Sequence, residues 1–134
     1  MAGRSPHPWI EILEPSLYLQ SFPARIVDEE LAGFLVALDG FIRAQRRAFA
    51  WVVQADATVS SSAGQRRMFA EAELRLQEYD RVLCAGTSFV LSSPVMRGVV
   101  TAVYWLAPPV YPYRFFATLP EAQAWAKAQL TARE

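Results

Sequence analysis

The run Phe49-Ala50-Trp51-Val52-Val53 constrains this chain more than any other segment. It lacks the polar alternation of a half-exposed strand, so it reads as a central strand covered on both faces. Such a strand belongs to a sheet with helices packed on it. At 134 residues the chain is long enough for one ordinary domain and too short for two comfortable ones.

The flanking segments supply the rest of the sheet. Trp9-Ile10-Glu11-Ile12-Leu13 is short and apolar and is broken by Glu14-Pro15; Leu17, Leu19 and Phe22 follow with polar residues between them. This predicts a hairpin. Two further strands are predicted over 87–92 and 113–117. Residues 1–8, with Pro6 and Pro8, read as a loose tail, and 9–134 as the single domain.

Four helices are predicted between and after the strands. Asp28 reads as the first N-cap, followed by Glu29 and Glu30 where the helix dipole favours anions. Leu31, Phe34, Leu35, Leu38 and Ile42 then form an inward stripe. Ser62 and Gln65 have capping-box spacing ahead of a second stripe of Met68, Phe69, Ala72, Leu76 and Tyr79. Residues 80–86 read as a connection hinged at Gly86. Ser93-Pro94 starts the third helix, 95–106, which is apolar nearly all round and therefore buried on several sides or turned to a partner. Thr118 and Glu121 open the last, with Leu119, Ala122, Trp125, Ala126 and Leu130 inward. The order ββαβαβαβα predicts an α/β domain on a single five-stranded mixed sheet, its later strands parallel with right-handed crossovers.

Composition excludes several functions. Basic and acidic residues number 13 each, so the formal net charge is zero, and 53% of the chain is hydrophobic. A disordered chain and a basic nucleic-acid-binding module are both ruled against. Cys84 is the only cysteine, which leaves no intrachain disulfide or thiolate zinc site and suits a reducing, cytoplasmic setting. No signal peptide is read at the start, and 95–106 contains Arg97 and is too short for a membrane span. His7, the single histidine, lies in the proline-flanked tail, so Ser-His-Asp and Cys-His machinery lack a base. Asp28, Glu29 and Glu30 are explained by the helix dipole rather than a metal. The glycines fit no phosphate-loop spacing. The chain reads as no enzyme, with no cofactor.

Three places carry candidate function. Ser60, Ser61 and Ser62 follow the central strand at a helix start, the usual functional rim of an open α/β fold; a phosphate there would meet the dipole, Arg66 and Arg67, although the same serines serve equally as loop and cap. Ser92, Ser93 and Arg97 gather hydroxyls, backbone donors and a cation at the third helix start, the ingredients of an anion or ligand site or of a plain cap. Tyr104, Tyr111 and Tyr113, around Pro108-Pro109-Val110-Tyr111-Pro112, are candidate interface aromatics, and that stretch reads either as a rigid loop or as an extended ligand.

The element order, with a serine loop after the central strand, resembles the STAS domain, the SpoIIAA-like fold of anti-sigma-factor antagonists, over roughly residues 9–130. The stretch 87–125 is similar to small STAS-like proteins of bacteria, through Gly86-Thr87-Ser88-Phe89-Val90, Ser93-Pro94-Val95-Met96-Arg97-Gly98, Tyr104-Trp105-Leu106, Phe115-Phe116-Ala117, Glu121-Ala122 and Trp125. The family's phosphorylated serine sits before the second helix, usually after an Asp-Ser-Ser-Gly-like run. Ser60-Ser61-Ser62-Ala63-Gly64 occupies that place, with no aspartate before the serine pair and only a loose match at Asp56. The resemblance implies a non-enzymatic regulatory or protein-interaction module, switched by serine phosphorylation and working through a protein partner or a homodimer. The alternative it implies is a small-ligand or lipid-binding domain like the SEC14-like relatives. The apolar surplus in the third helix and the following aromatic loop predicts a contact surface there.

Overall fold

The computed structural model describes residues 5–55 and 60–133. In chain order the elements are β1 (Ile10–Glu14), β2 (Leu17–Ser21), α1 (Asp28–Arg43), β3 (Phe49–Ala55), α2 (Ala63–Leu83), β4 (Cys84–Leu91), α3 (Pro94–Leu106), β5 (Tyr113–Phe116) and α4 (Leu119–Ala132). The five strands lie side by side in sequence order, β1-β2-β3-β4-β5. The β1–β2 pair is antiparallel and the other three pairs are parallel. The predicted α/β architecture with a single five-stranded mixed sheet is therefore found.

Strand order decides where the helices go. When parallel strands are laid down in one direction, crossovers of one hand all fall on one face of the sheet. Accordingly α1, α2 and α3 share one apolar cluster with Ile10, Tyr18, Phe49, Trp51, Phe89 and Leu91. The opposite face, Leu17, Leu19, Ala50 and Val52, packs against Ala122 and Ala126 of α4. Phe49 and Trp51 point one way and Ala50 and Val52 the other, as strand pleating requires. The central strand is thus covered on both sides: Phe49, Ala50, Trp51 and Val52 are all buried.

Small residues let α4 come close. Ala122 and Ala126 are fully buried, and a methyl group on Gly86 would lie 3.2 Å from the Trp125 ring. The Ser88 hydroxyl, also buried, donates to the Ala122 carbonyl at 2.9 Å.

The caps at Ser62, Ser93 and Thr118 form as predicted, the first as a complete capping box with Gln65. Four features differ from expectation. No connection occupies 80–86: α2 runs to Leu83 and passes directly into β4 at Cys84. Nothing between Val82 and Ala85 breaks the backbone, and pairing of Cys84 with Phe49 captures the chain at once. Asp28 is the first helical residue rather than the cap, and its carboxylate accepts from Gln65 Nε2 at 2.8 Å. Tyr79 faces solvent beneath the Arg43 guanidinium, and its neighbour Asp80 turns inward. The described part of the predicted tail, residues 5–8, is held: Trp9 N donates to His7 Nδ1 at 3.1 Å, and the imidazole stacks edge-on against Trp9 and Phe34. Asp56, compared above with the family's aspartate, lies outside the described residues.

Candidate functional site

Between the sheet and the layer of α1, α2 and α3 lies a cavity of about 140 Å³. Its walls are mostly apolar, with Leu38 and Ile42 from α1, Trp51 from β3 and Val100 from α3. Among the described residues no arginine, lysine or histidine lines it, and its acidic groups come from one helix. Glu73 and Asp80 sit seven residues apart on α2, so two turns of helix bring both to the same face. Leu76 lies between them on that face, and all three residues line the cavity.

The two acids are held differently. Tyr111 donates its hydroxyl proton to Glu73 Oε2 at 2.9 Å. The Tyr104 and Tyr111 hydroxyls are 3.0 Å apart. With the Tyr111 proton committed to Glu73, Tyr104 is the donor in that second bond. Glu73 as a whole is only half-buried, but its carboxyl lies deep, and burial raises its pKa to about 6 against the opposing pull of the Tyr111 bond. Asp80 is 4% exposed. Among the described residues its carboxyl has no hydrogen-bond partner, and burial, reinforced by Glu73, raises its pKa to about 8. An isolated buried carboxylate costs more than its neutral form, so the proton stays on.

The remaining polar groups are quieter. Cys84 is 2% exposed, and burial followed by the nearby Asp80 pushes its thiol pKa far up, which leaves no reactive thiolate. Burial likewise raises Tyr104 and Tyr111. The Ser61 hydroxyl is buried on the cavity wall with no hydrogen-bond partner among the described residues. Among the described residues no group of three or more His, Cys, Asp or Glu is placed to hold a metal ion. Nor is any described helix long and apolar enough to cross a membrane.

The residues singled out from the sequence are scattered. Ser62 Oγ accepts from Gln65 N at 3.0 Å, Ser60 is exposed beside Arg25, and Arg66 reaches back to the Ser61 carbonyl at 2.9 Å. Ser93 caps α3 by accepting from Val95 N and Met96 N, Ser92 is exposed, and Arg97 lies over the Phe115 ring instead of the helix start. These groups do not converge on an anion site. Tyr113 is 43% exposed, as an interface residue would be, and Tyr111 is half-buried. Tyr104 corrects the expectation of a surface aromatic: it is 9% exposed, because it continues the inward stripe of Met96, Val100 and Val103. The large side chains of α3 that do stand in solvent are Val95, Trp105 and Leu106, at 75%, 82% and 57% exposed.

Sequence reasoning missed Glu73 and Asp80. The available signal was their spacing: both fall on the stripe begun by Phe69, Ala72 and Leu76, where a charged residue has no solvent to face.

Comparison of the chain with family models, with curated proteins and with solved structures found no match in any of the three.

Proposed function

We propose that the chain is a non-enzymatic, STAS-like sensing module that takes a small, compact molecule into the cavity between its sheet and its α1–α3 layer. The observation that carries this reading is the cavity itself, about 140 Å³ of mostly apolar space edged by the Ser61 hydroxyl and the acidic residues Glu73 and Asp80. Size narrows the ligand. Pockets for drug-sized molecules begin at about 300 Å³. An engineered apolar cavity of about 150 Å³ admits benzene. The volume therefore suits a body of about one ring and not a whole lipid, so the SEC14-like alternative contracts to its small-ligand form. The element order and packing residues such as Ser88, Phe89 and Trp125 support the family likeness. A cytoplasmic bacterial setting goes with this reading.

The test is thermal unfolding in the presence of toluene or benzyl alcohol, beside an Ala72→Leu variant that fills the cavity wall. A rise in Tm in the natural chain, lost in the variant, is expected. No rise with either one-ring compound would remove the reading.

The second reading is a protein-interaction module, as a homodimer or with another protein, favoured by the exposure of Val95, Trp105 and Leu106 on α3 and of Tyr113 on β5. Sedimentation of the natural chain and of Trp105→Ser at micromolar concentration tests the homodimer; a monomer in both cases removes it. In its switched form, phosphate would sit on Ser60, Ser61 or Ser62. Of these, Ser60 is the most accessible, since the Ser61 hydroxyl is buried and that of Ser62 caps α2. Mass spectrometry of protein from native cells tests this form, and unmodified serines under all growth conditions would remove it.

A further inference from the structure

We infer that the cavity selects a small amine: a compact apolar body with a protonated nitrogen directed at Asp80. The inference rests on the ligand-binding reading above and adds the ligand's charge. Its first support is the Asp80 carboxyl, 4% exposed, on the cavity wall and without a hydrogen-bond partner among the described residues. A buried carboxyl in that position takes its partner from the cavity, whether water or a guest with a hydrogen-bond donor. The second support is the sign of the surroundings. Two acidic residues line the cavity, and among the described residues no basic side chain does. A positively charged guest would therefore meet two acidic residues and, among the described residues, no competing cation.

The aromatic wall fits the same guest. Trp51, Phe89, Tyr104 and Tyr111 offer ring faces and edges, and a cation near ring faces is favoured when water is excluded. Glu73 has its own donor in Tyr111, which leaves Asp80 as the free acceptor. The titratable groups that face the cavity besides Asp80 are Glu73 on the same helix, Cys84 at the start of β4, Tyr104 on α3 and Tyr111 after it; α1, β2 and β3 contribute none. Since Asp80 keeps its proton to about 8, an ammonium ion binds by displacing that proton to water. The step conserves charge: one cation enters and one proton leaves.

Titration calorimetry with benzylamine, benzyl alcohol and benzoate on the whole chain decides the matter. Benzylamine should bind at least tenfold more tightly than benzyl alcohol at pH 7, benzoate should not bind, and benzylamine affinity should rise from pH 6 to pH 8. Asp80→Asn should abolish the preference for the amine while leaving benzyl alcohol within about twofold. Glu73→Gln serves as a second variant and should retain the preference in part. Equal binding of the amine and the alcohol would overturn this inference and leave the ligand-binding reading standing. Failure of all three compounds would overturn both. Should Asp80→Asn not fold, the ranking of the three compounds on the natural chain still decides.

Discussion

Replacing Asp80 by asparagine should remove most of the empty protein's loss of stability with rising pH. In the folded chain the Asp80 carboxyl keeps its proton to about 8, against an ordinary 3.8. Between those two values the folded state binds more protons than the unfolded state, so stability falls as pH rises through the window and levels off above it. Each pH unit inside the window costs about 1.4 kcal/mol, or close to 6 kcal/mol across its width. Glu73, with its value raised to about 6, adds a smaller loss of the same sign at the acid end. A domain of this size has a total stability of about 5–15 kcal/mol. The empty protein should therefore lose stability steadily from about pH 4 upward and be markedly weaker at pH 8 to 9. Urea unfolding at unit pH intervals from 5 to 9 reads the effect directly. Asp80→Asn should exceed the natural chain by about 1–2 kcal/mol at pH 5 and by several kcal/mol more at pH 9. Parallel profiles for the two proteins would refute the argument, since they would mean that Asp80 ionises freely in the folded state.

Three further outcomes follow from the packing. Tyr111→Phe removes the only donor to Glu73 among the described residues and takes away the acceptor of the Tyr104 hydroxyl, so stability should fall by about 1–3 kcal/mol, with a larger loss at pH 8 than at pH 5; urea unfolding at both pH values checks it. Gly86→Val should cost about 1–3 kcal/mol by overpacking, because even one methyl there meets the Trp125 ring at 3.2 Å; Tm by calorimetry is the measure. Ser62→Ala breaks the capping box of α2 and should cost about 0.5–2 kcal/mol in urea unfolding.

The elements were legible because their signals are local. The unalternating run at 49–53, the caps at Ser62, Ser93 and Thr118, and the stripe in α1 each act within a few residues, and each occurs where expected. The candidate site was not legible, because it depends on which of two neighbours turns inward. After Leu76 the helical repeat allows either Tyr79 or Asp80 to face the core, and hydrophobicity favours the tyrosine. The structure seats Tyr79 under Arg43 at the surface and Asp80 inside. That choice is made by the rotation of α2 on the sheet, which is fixed by its direct junction with β4 at Cys84. The same holds for Tyr104, whose depth depends on how α3 lies against α2 and β4.

The one-sided placement of the crossover helices also sets an order of events during synthesis. All five strands are made before α4, and among the described residues α4 alone supplies the helix that covers Leu17, Leu19, Ala50 and Val52. A nascent chain can close its α1–α3 side while that second face is still bare. Until α4 docks, the growing protein carries a broad apolar sheet face, the sort of surface that chaperones bind and that aggregates form through. A premature stop before Leu119 would make that passing state permanent, with most of the fold's elements already in place.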